Sequence, residues 1–160
     1  MGDGADAGLA AVLRPGRVEE SDQIAAVFVA SRRASVPAIP PLVHTEAEVR
    51  EWLPGEIQRA RDTWVAEAGD RLVAMMIVGD GWIDHLYVSP GWTGRGIGSR
   101  LVARAKEDQA ALQLWAFQAN HGARRFYERH GFVEVEQTDG SGNEERAPDV
   151  RYEWRAPAGQ

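Results

Sequence analysis

Apolar positions along this 160-residue chain follow two alternating rhythms. Val12 to Arg14 is a short run that stops at Pro15-Gly16 and predicts a first strand. Over Glu20 to Arg33 the residues Ile24, Val27, Phe28 and Ala30 or Ser31 recur at helical spacing, with Ser21 as the expected N-cap. The segment V-P-A-I-P-P-L-V-H-T that follows is apolar but rich in proline, and reads as a lid over a pocket or as a plain crossover. Thr45 and Glu48 form a capping-box pair that opens a second helix towards Arg61. The period then drops to two. Thr63 to Ala68, Arg71 to Val78 and Trp82 to Val88 are separated by Gly69-Asp70 and Gly79-Asp80-Gly81, which predicts a three-stranded meander. A helix reaching about Ala110, a strand over Leu112 to Phe117 and a short helix over Gly122 to His130 come next. Phe132 to Gln137 and Val150 to Trp154 form a last strand pair. The pattern predicts an α/β chain whose mostly antiparallel sheet contains at least one parallel pair. Residues 1–11, largely Gly, Ala and Asp, are expected to be a disordered tail before a single domain over 12–156.

Composition narrows the chemistry more than the fold. The length suits one domain, and 44% hydrophobic with 26% charged residues is ordinary for a soluble protein. The absence of cysteine excludes disulfides, a thiol nucleophile and cysteine-based metal sites. The four histidines show no helical H-x3-H pairing, so no metal is expected. A net charge of -6 argues against nucleic-acid binding and suits a cationic partner such as an amine. No apolar run is long enough to span a membrane, and the start M-G-D-G-A-D lacks a basic leader, so cytoplasmic residence is expected. Six tryptophans leave a homodimer open.

One stretch organises the rest: V-S-P-G-W-T-G-R-G-I-G-S-R-L, Val88 to Leu101. A strand ends at Pro90, three glycines (Gly94, Gly96, Gly98) make the turn, and Ile97, Leu101 and Ala105 begin a helix. Glycines let backbone approach a ligand, and a fresh helix N-terminus offers free N–H groups and a positive dipole end. That combination seats a phosphate or pyrophosphate. A Walker loop is excluded because Gly96 is followed by Ile97-Gly98 rather than Lys-Ser/Thr, and Ser99 stands where a dinucleotide fingerprint wants Gly or Ala.

A second landmark, N-H-G-A-R-R-F-Y-E-R-H-G-F from Asn120 to Phe132, follows some twenty residues later. Together the two closely resemble the GNAT superfamily of acyl-coenzyme A-dependent N-acyltransferases, and the order of elements from Val12 to Trp154 agrees. The resemblance implies a mixed, mostly antiparallel central sheet of six or seven strands, flanked by about four helices, with two central strands splayed apart. It implies acetyl-CoA as co-substrate and a small-molecule or protein amine as acceptor, with no nucleic-acid or membrane partner. Thr93, Gly94, Arg95, Gly96, Ile97, Gly98 and Ser99 would hold the pyrophosphate. Thr93 departs from the Arg or Gln usual at that position, which removes one side-chain contact. Arg100 is either a partner of the 3′-phosphate or a solvated helix charge. Backbone groups of Leu86, Tyr87 and Val88 would line the pantetheine arm as an added strand does. Asn120 would touch the arm, cap the following helix, or both; Arg124 is assigned to the cofactor as well.

Acyl transfer to an amine sets three tasks. At pH 7 only about one lysine-like amine in two to three thousand is neutral, equivalent to about 4.6 kcal/mol. A base must therefore take a proton; His85 and Asp84, on opposite faces of one strand by alternation, and Glu67 on a neighbouring strand are the candidates. Fixed backbone N–H groups must stabilise the carbonyl oxygen as it gains charge. The departing thiolate needs a proton donor, and Tyr127 matches the family tyrosine in that role, the alternative being a core aromatic. No Ser-His-Asp pattern or cysteine points to a covalent enzyme intermediate, so transfer would be direct. The acceptor pocket is expected from the loop Pro37 to Thr45, Trp82, Phe117 and the acidic loop Asp139 to Asp149. The competing expectation is a non-catalytic acyl-CoA-binding module.

Overall fold

A computed structural model describes residues 10–158. Seven strands form one sheet in the order β1-β2-β3-β4-β5-β7-β6. They are β1 Val12–Pro15, β2 Asp62–Ala68, β3 Arg71–Gly79, β4 Trp82–Val88, β5 Ala111–Phe117, β6 Val133–Thr138 and β7 Asp149–Arg155. The helices are α1 Ser21–Ala34, α2 Glu46–Arg59, α3 Ile97–Asp108 and α4 His121–Arg129. Every neighbouring pair is antiparallel except β4 with β5, which is parallel.

Helices cover both faces. On one face Ile97, Leu101, Val102 and Ala105 of α3 pack with Ala74, Met76, Val78, Leu112, Leu114 and Tyr152. On the other, Ile24, Phe28, Val49 and Leu53 from α1 and α2 pack with Val65, Met75 and Ile77. β3 is therefore buried on both sides, which is why its sequence L-V-A-M-M-I-V is apolar without alternation. The Thr45 capping box forms as the sequence predicts, the Thr45 side chain accepting from Glu48 N–H and the Glu48 carboxylate from Thr45 N–H. At α1 the cap differs. A 3-10 turn, Val18–Glu20, precedes the helix, Ser21 is already helical, and Glu20 instead accepts from the Arg17 N–H. α3 ends at Asp108, two residues before the expected Ala110.

Residues 1–9 of the expected tail lie outside the described residues. Ala11, also assigned to that tail, is buried, and its carbonyl accepts a hydrogen bond from Arg100 Nη1 at 2.8 Å.

Leu101 keeps no exposure and carries α3 against the sheet. Leu101→Ala is expected to cost about 2–5 kcal/mol, read as a lower urea midpoint at unchanged m-value.

Candidate active site

The glycine turn closes a cleft of about 600 Å³, whose lining includes Leu86, Val88, Thr93, Gly94, Gly96 to Ser99, Phe126 and Tyr127. Gly94 and Gly96 hold φ of 75° and 82°, the left-handed region a side chain disfavours, and Gly96 is the N-cap of α3. Gly98 is needed for space instead: a Cβ there would sit 3.3 Å from Phe126 Cζ. Among the described residues, no acceptor bonds the N–H groups of Gly96, Ile97, Gly98 or Ser99. These four amides and the positive end of α3 line one wall of the cleft, a seat for an anion.

Side chains contribute less here than the sequence suggests. Arg95 stacks over the buried Trp92 ring at 4.5 Å, and Ser99 Oγ is 2.9 Å from His130 Nε2. Arg100 is exposed, donates to the Ala11 carbonyl and is not among the residues that line the cleft. Arg124 faces away as well. Its guanidinium donates to the Tyr152 hydroxyl at 3.1 Å and the Gln118 carbonyl at 3.1 Å, and reaches Glu134 at 3.5 Å. It ties α4 to the last strands and does not line the cleft.

From the cleft a slot of about 110 Å³ runs through the sheet. Its cause is the parallel pair: β4 and β5 share one ladder position, Trp82 opposite Gln113, and then diverge. Ser89 N–H donates to Val73 O at 2.8 Å, so strand alternation turns the main-chain groups of Leu86 and Val88 away from β3, to the open edge. Asn120 lines the slot and also caps α4 by accepting from Ala123 N–H at 3.2 Å. Tyr127 lines both slot and cleft. Its ring packs near Phe126, Phe132 and Tyr152, and burial pushes its phenol well above the ordinary value, with Tyr87 adding to the shift. The phenol stays protonated.

On the far side the slot meets a cavity of about 600 Å³ between α1, α2 and the β6–β7 loop. A β-bulge decides what points there. Ile77 pairs with His85 and Val78 with Ile83, leaving Asp84 as the extra residue. Alternation therefore fails. Asp84 Oδ2 lies 3.0 Å from where a Cβ on Gly79 would be, on the α1–α2 face, and the neighbouring charge that acts on it is Glu56 of α2. Asp84 and His85 thus share a face, correcting the expectation of opposite ones, and both line the slot. Burial first, then Glu56, raises the Asp84 pKa. His85 sits 5.5 Å from the Phe28 ring and 5.3 Å from Trp52, and its buried Nδ1 has no hydrogen-bond partner. Burial and then Arg32 lower its pKa to about 4.

Glu67 is excluded from the site by position. It lies on β2, two strands from β4, and accepts from Arg14 Nε at 3.3 Å and Nη2 at 3.2 Å. Trp82 belongs to the closed end of the β4–β5 pair, not to the cavity. From the segments expected around the acceptor, Leu42, Val43 and His44 line the cavity with Glu144 and Glu145, while Phe117 lines the slot. His44 bridges the walls, 3.0 Å from Glu144 and 3.7 Å from Glu48, and the Glu144 contact foremost raises its pKa. The proline-rich segment therefore borders a cavity. The Tyr87 side chain leaves the cofactor edge and packs on Phe28 at 4.8 Å.

The family model described as "Acetyltransferase (GNAT) domain" matches residues 59–134. An amino-acid acetyltransferase of Mycobacterium tuberculosis is 32% identical over 121 residues, which cover 68% of this chain and 68% of that protein. The chain belongs to the GNAT acetyltransferase superfamily. A probable N-acetyltransferase of the same organism is 34% identical to this GNAT chain over 94 residues, 52% of the chain and 54% of the relative. The chain spans between a third and about half of the length of other curated relatives it matches, 33% and 54%. Its fold matches PaiA N-acetyltransferase from Thermoplasma acidophilum in complex with coenzyme A, with a TM-score of 0.71 at 22% identity, covering 91% of this chain and 99% of that one. Among the described residues no helix is long and apolar enough to cross a membrane, and no cluster of three or more His, Asp or Glu is arranged to hold a metal.

Sequence reasoning passed over Phe28, Trp52 and Arg32 of this GNAT site. The signal for Arg32 lay in the spacing: Ile24, Phe28 and Arg32 follow at four-residue steps, so a charge falls on the buried stripe of α1.

Because His85 is held neutral in the fold, the unfolded chain binds more protons between its ordinary pKa of about 6.5 and the folded value of about 4. Stability is expected to fall by roughly 3 kcal/mol as pH drops through that window. His85→Leu should flatten this part of a stability-against-pH curve measured by urea unfolding.

Proposed function

We propose that this protein is an acetyl-CoA-dependent N-acetyltransferase that modifies a primary amine by direct attack on the thioester. The observation that carries it is a row of three cavities with shared walls: the cleft at the free amides of α3 and the β4–β5 slot share Leu86 and Tyr127, and the slot and the cavity on the other face share His85. A structural neighbour solved in complex with coenzyme A supports the donor class. On this reading the amides of Gly96 to Ser99 grip the pyrophosphate, with Thr93 and Gly94 beside them. The open edge at Leu86 and Val88 takes the pantetheine arm as an added strand, and an N–H of that edge polarises the thioester carbonyl.

The amine enters from the α1–α2 cavity and meets the thioester in the slot. Of the two groups there, Asp84 is the more exposed and is assigned the role of base; burial raises its pKa, while burial and Arg32 lower that of His85 to about 4. His85 offers its unpaired Nδ1 as a hydrogen-bond acceptor that orients the amine. Tyr127, held protonated, donates a hydrogen bond to the departing thiolate, whose parent thiol has a pKa of about 8.5 and which takes its proton from the nitrogen of the tetrahedral intermediate. Transfer forms the amide C–N bond and breaks the C–S bond; one proton of the ammonium leaves through Asp84 before attack, and a second passes from nitrogen to the thiolate.

The test is thiol release from acetyl-CoA across a panel of amines, with coenzyme A binding followed in parallel by calorimetry. Amine-dependent release is expected; saturable binding without release for any amine would identify a non-catalytic acyl-CoA-binding module instead. Tyr127→Phe is expected to lower kcat about 10- to 100-fold or more while coenzyme A affinity changes little, and an unchanged kcat across the pH profile removes Tyr127 from the mechanism. Gly96→Val, which forces a β-branched residue to φ near 82°, should weaken coenzyme A binding in the same calorimetric titration.

A further inference from the structure

Arg32 is the anomaly of the acceptor cavity. It retains 6% of its exposure, yet its Nε is buried without a partner. Its remaining contacts are loose. Nη2 donates to Pro40 O at 3.3 Å and stands 3.9 Å from Glu145 Oε1, and the guanidinium lies 5.7 Å from the Phe117 ring centre. The Tyr87 hydroxyl is in its reach. A guanidinium carries five N–H donors and never loses its charge, so burying it with a donor unmet is costly unless a ligand completes the set. Arg32 lines the α1–α2 cavity, and Phe117 and Tyr87, the rings beside its guanidinium, line the slot.

The surroundings limit what that ligand is. Glu48, Glu51, Glu144 and Glu145 line the same cavity against Arg32 and His44, and His44 already bridges Glu144 and Glu48. A simple anion would still meet an excess of carboxylates, with Glu51 and Glu145 outside the His44 bridge, and a simple amine would leave Arg32 unmet. A molecule bearing both charges satisfies both sets. Glu145, one-sixth exposed or so and just outside hydrogen-bond range of Arg32, supplies the complementary negative end. The other walls, with Phe28, Leu42, Val43, Val49 and Trp52, are apolar.

We propose that the acceptor is an α-amino carboxylate with an apolar side chain, its carboxylate held by Arg32 and its ammonium facing Glu145. This rests on the cavity being the acceptor site of the proposed acetyltransferase. A fork of two parallel N–H groups matches a carboxylate, and an amine one carbon away then lies at the slot mouth.

Matched sets test it: leucine, phenylalanine and methionine, each beside its amide and the amine lacking the carboxylate, assayed for thiol release from acetyl-CoA. The amino acid is expected to exceed its two analogues in kcat/KM by about 10- to 100-fold, mainly through KM. Arg32→Gln should reduce that preference to within about threefold, and Arg32→Lys, which keeps the charge and loses the fork, should restore it only in part. Should Arg32→Gln fail to fold by circular dichroism, the wild-type comparison and Arg32→Lys decide. Equal rates for amino acid, amide and amine overturn the proposal and leave the acetyltransferase reading standing. If no amine is acetylated, the same sets are titrated calorimetrically onto the protein with coenzyme A present. Carboxylate-dependent binding then upholds the proposal while the catalytic reading falls, and absent or undiscriminating binding overturns it.

Discussion

Two parallel strands that share a single ladder position set the rest of this structure. β4 and β5 meet at Trp82 and Gln113 and then separate, which breaks an otherwise continuous sheet at its middle. In a two-sided core such a gap would leave main-chain groups unpaired, at a cost comparable to lost hydrogen bonds. Here the gap opens to a cleft on one face and a cavity on the other, so those groups are available to a strand-like ligand. The remaining antiparallel pairs hold the two halves of the sheet, while α3 and the buried Ile83 bridge the break on one face.

Burial acts on the two sides of the gap in the same sense. It removes charge from Tyr127 by raising its pKa and from His85 by lowering it, because a low-dielectric site disfavours the ionised form of either. Both are thereby fixed as neutral hydrogen-bonding groups. Asp84 is affected too, and the bulge that turns it to the α1–α2 face brings Glu56 near enough to push in the same direction. One irregularity in β4 therefore sets both the direction and the basicity of this carboxylate.

The elements were largely legible from periodicity, since β3, β4, β5, α2 and α4 fall within a residue or two of where the apolar pattern puts them. The glycine turn was legible too, because left-handed φ values at Gly94 and Gly96 need glycine and leave their mark in the sequence. Side-chain direction was not. A bulge at Asp84 depends on pairing between β3 and β4, which no local pattern encodes, and it reverses the face assigned by alternation. Glu67 looked equally available, but its partner Arg14 comes from β1, fifty-three residues away. Arg100 reads from sequence as a 3′-phosphate partner or a solvated charge, and Arg124 as a cofactor residue; their partners, Ala11 and Tyr152, lie 89 and 28 residues away.

The departure of those two arginines from the cleft changes how an acidic chain would hold a polyanion. With a net charge of -6, long-range attraction is weak or adverse, and the side-chain cation nearest the turn, Arg95, is already stacked on Trp92. What remains is Arg129 on the cleft wall, with four free amides and a helix dipole that act only at contact distance. Such a seat favours an anion whose oxygens fit the turn and offers little to charge alone. At the opposite end of the slot the logic is reversed, since Arg32 and the four glutamates place full charges on side chains and leave the backbone out.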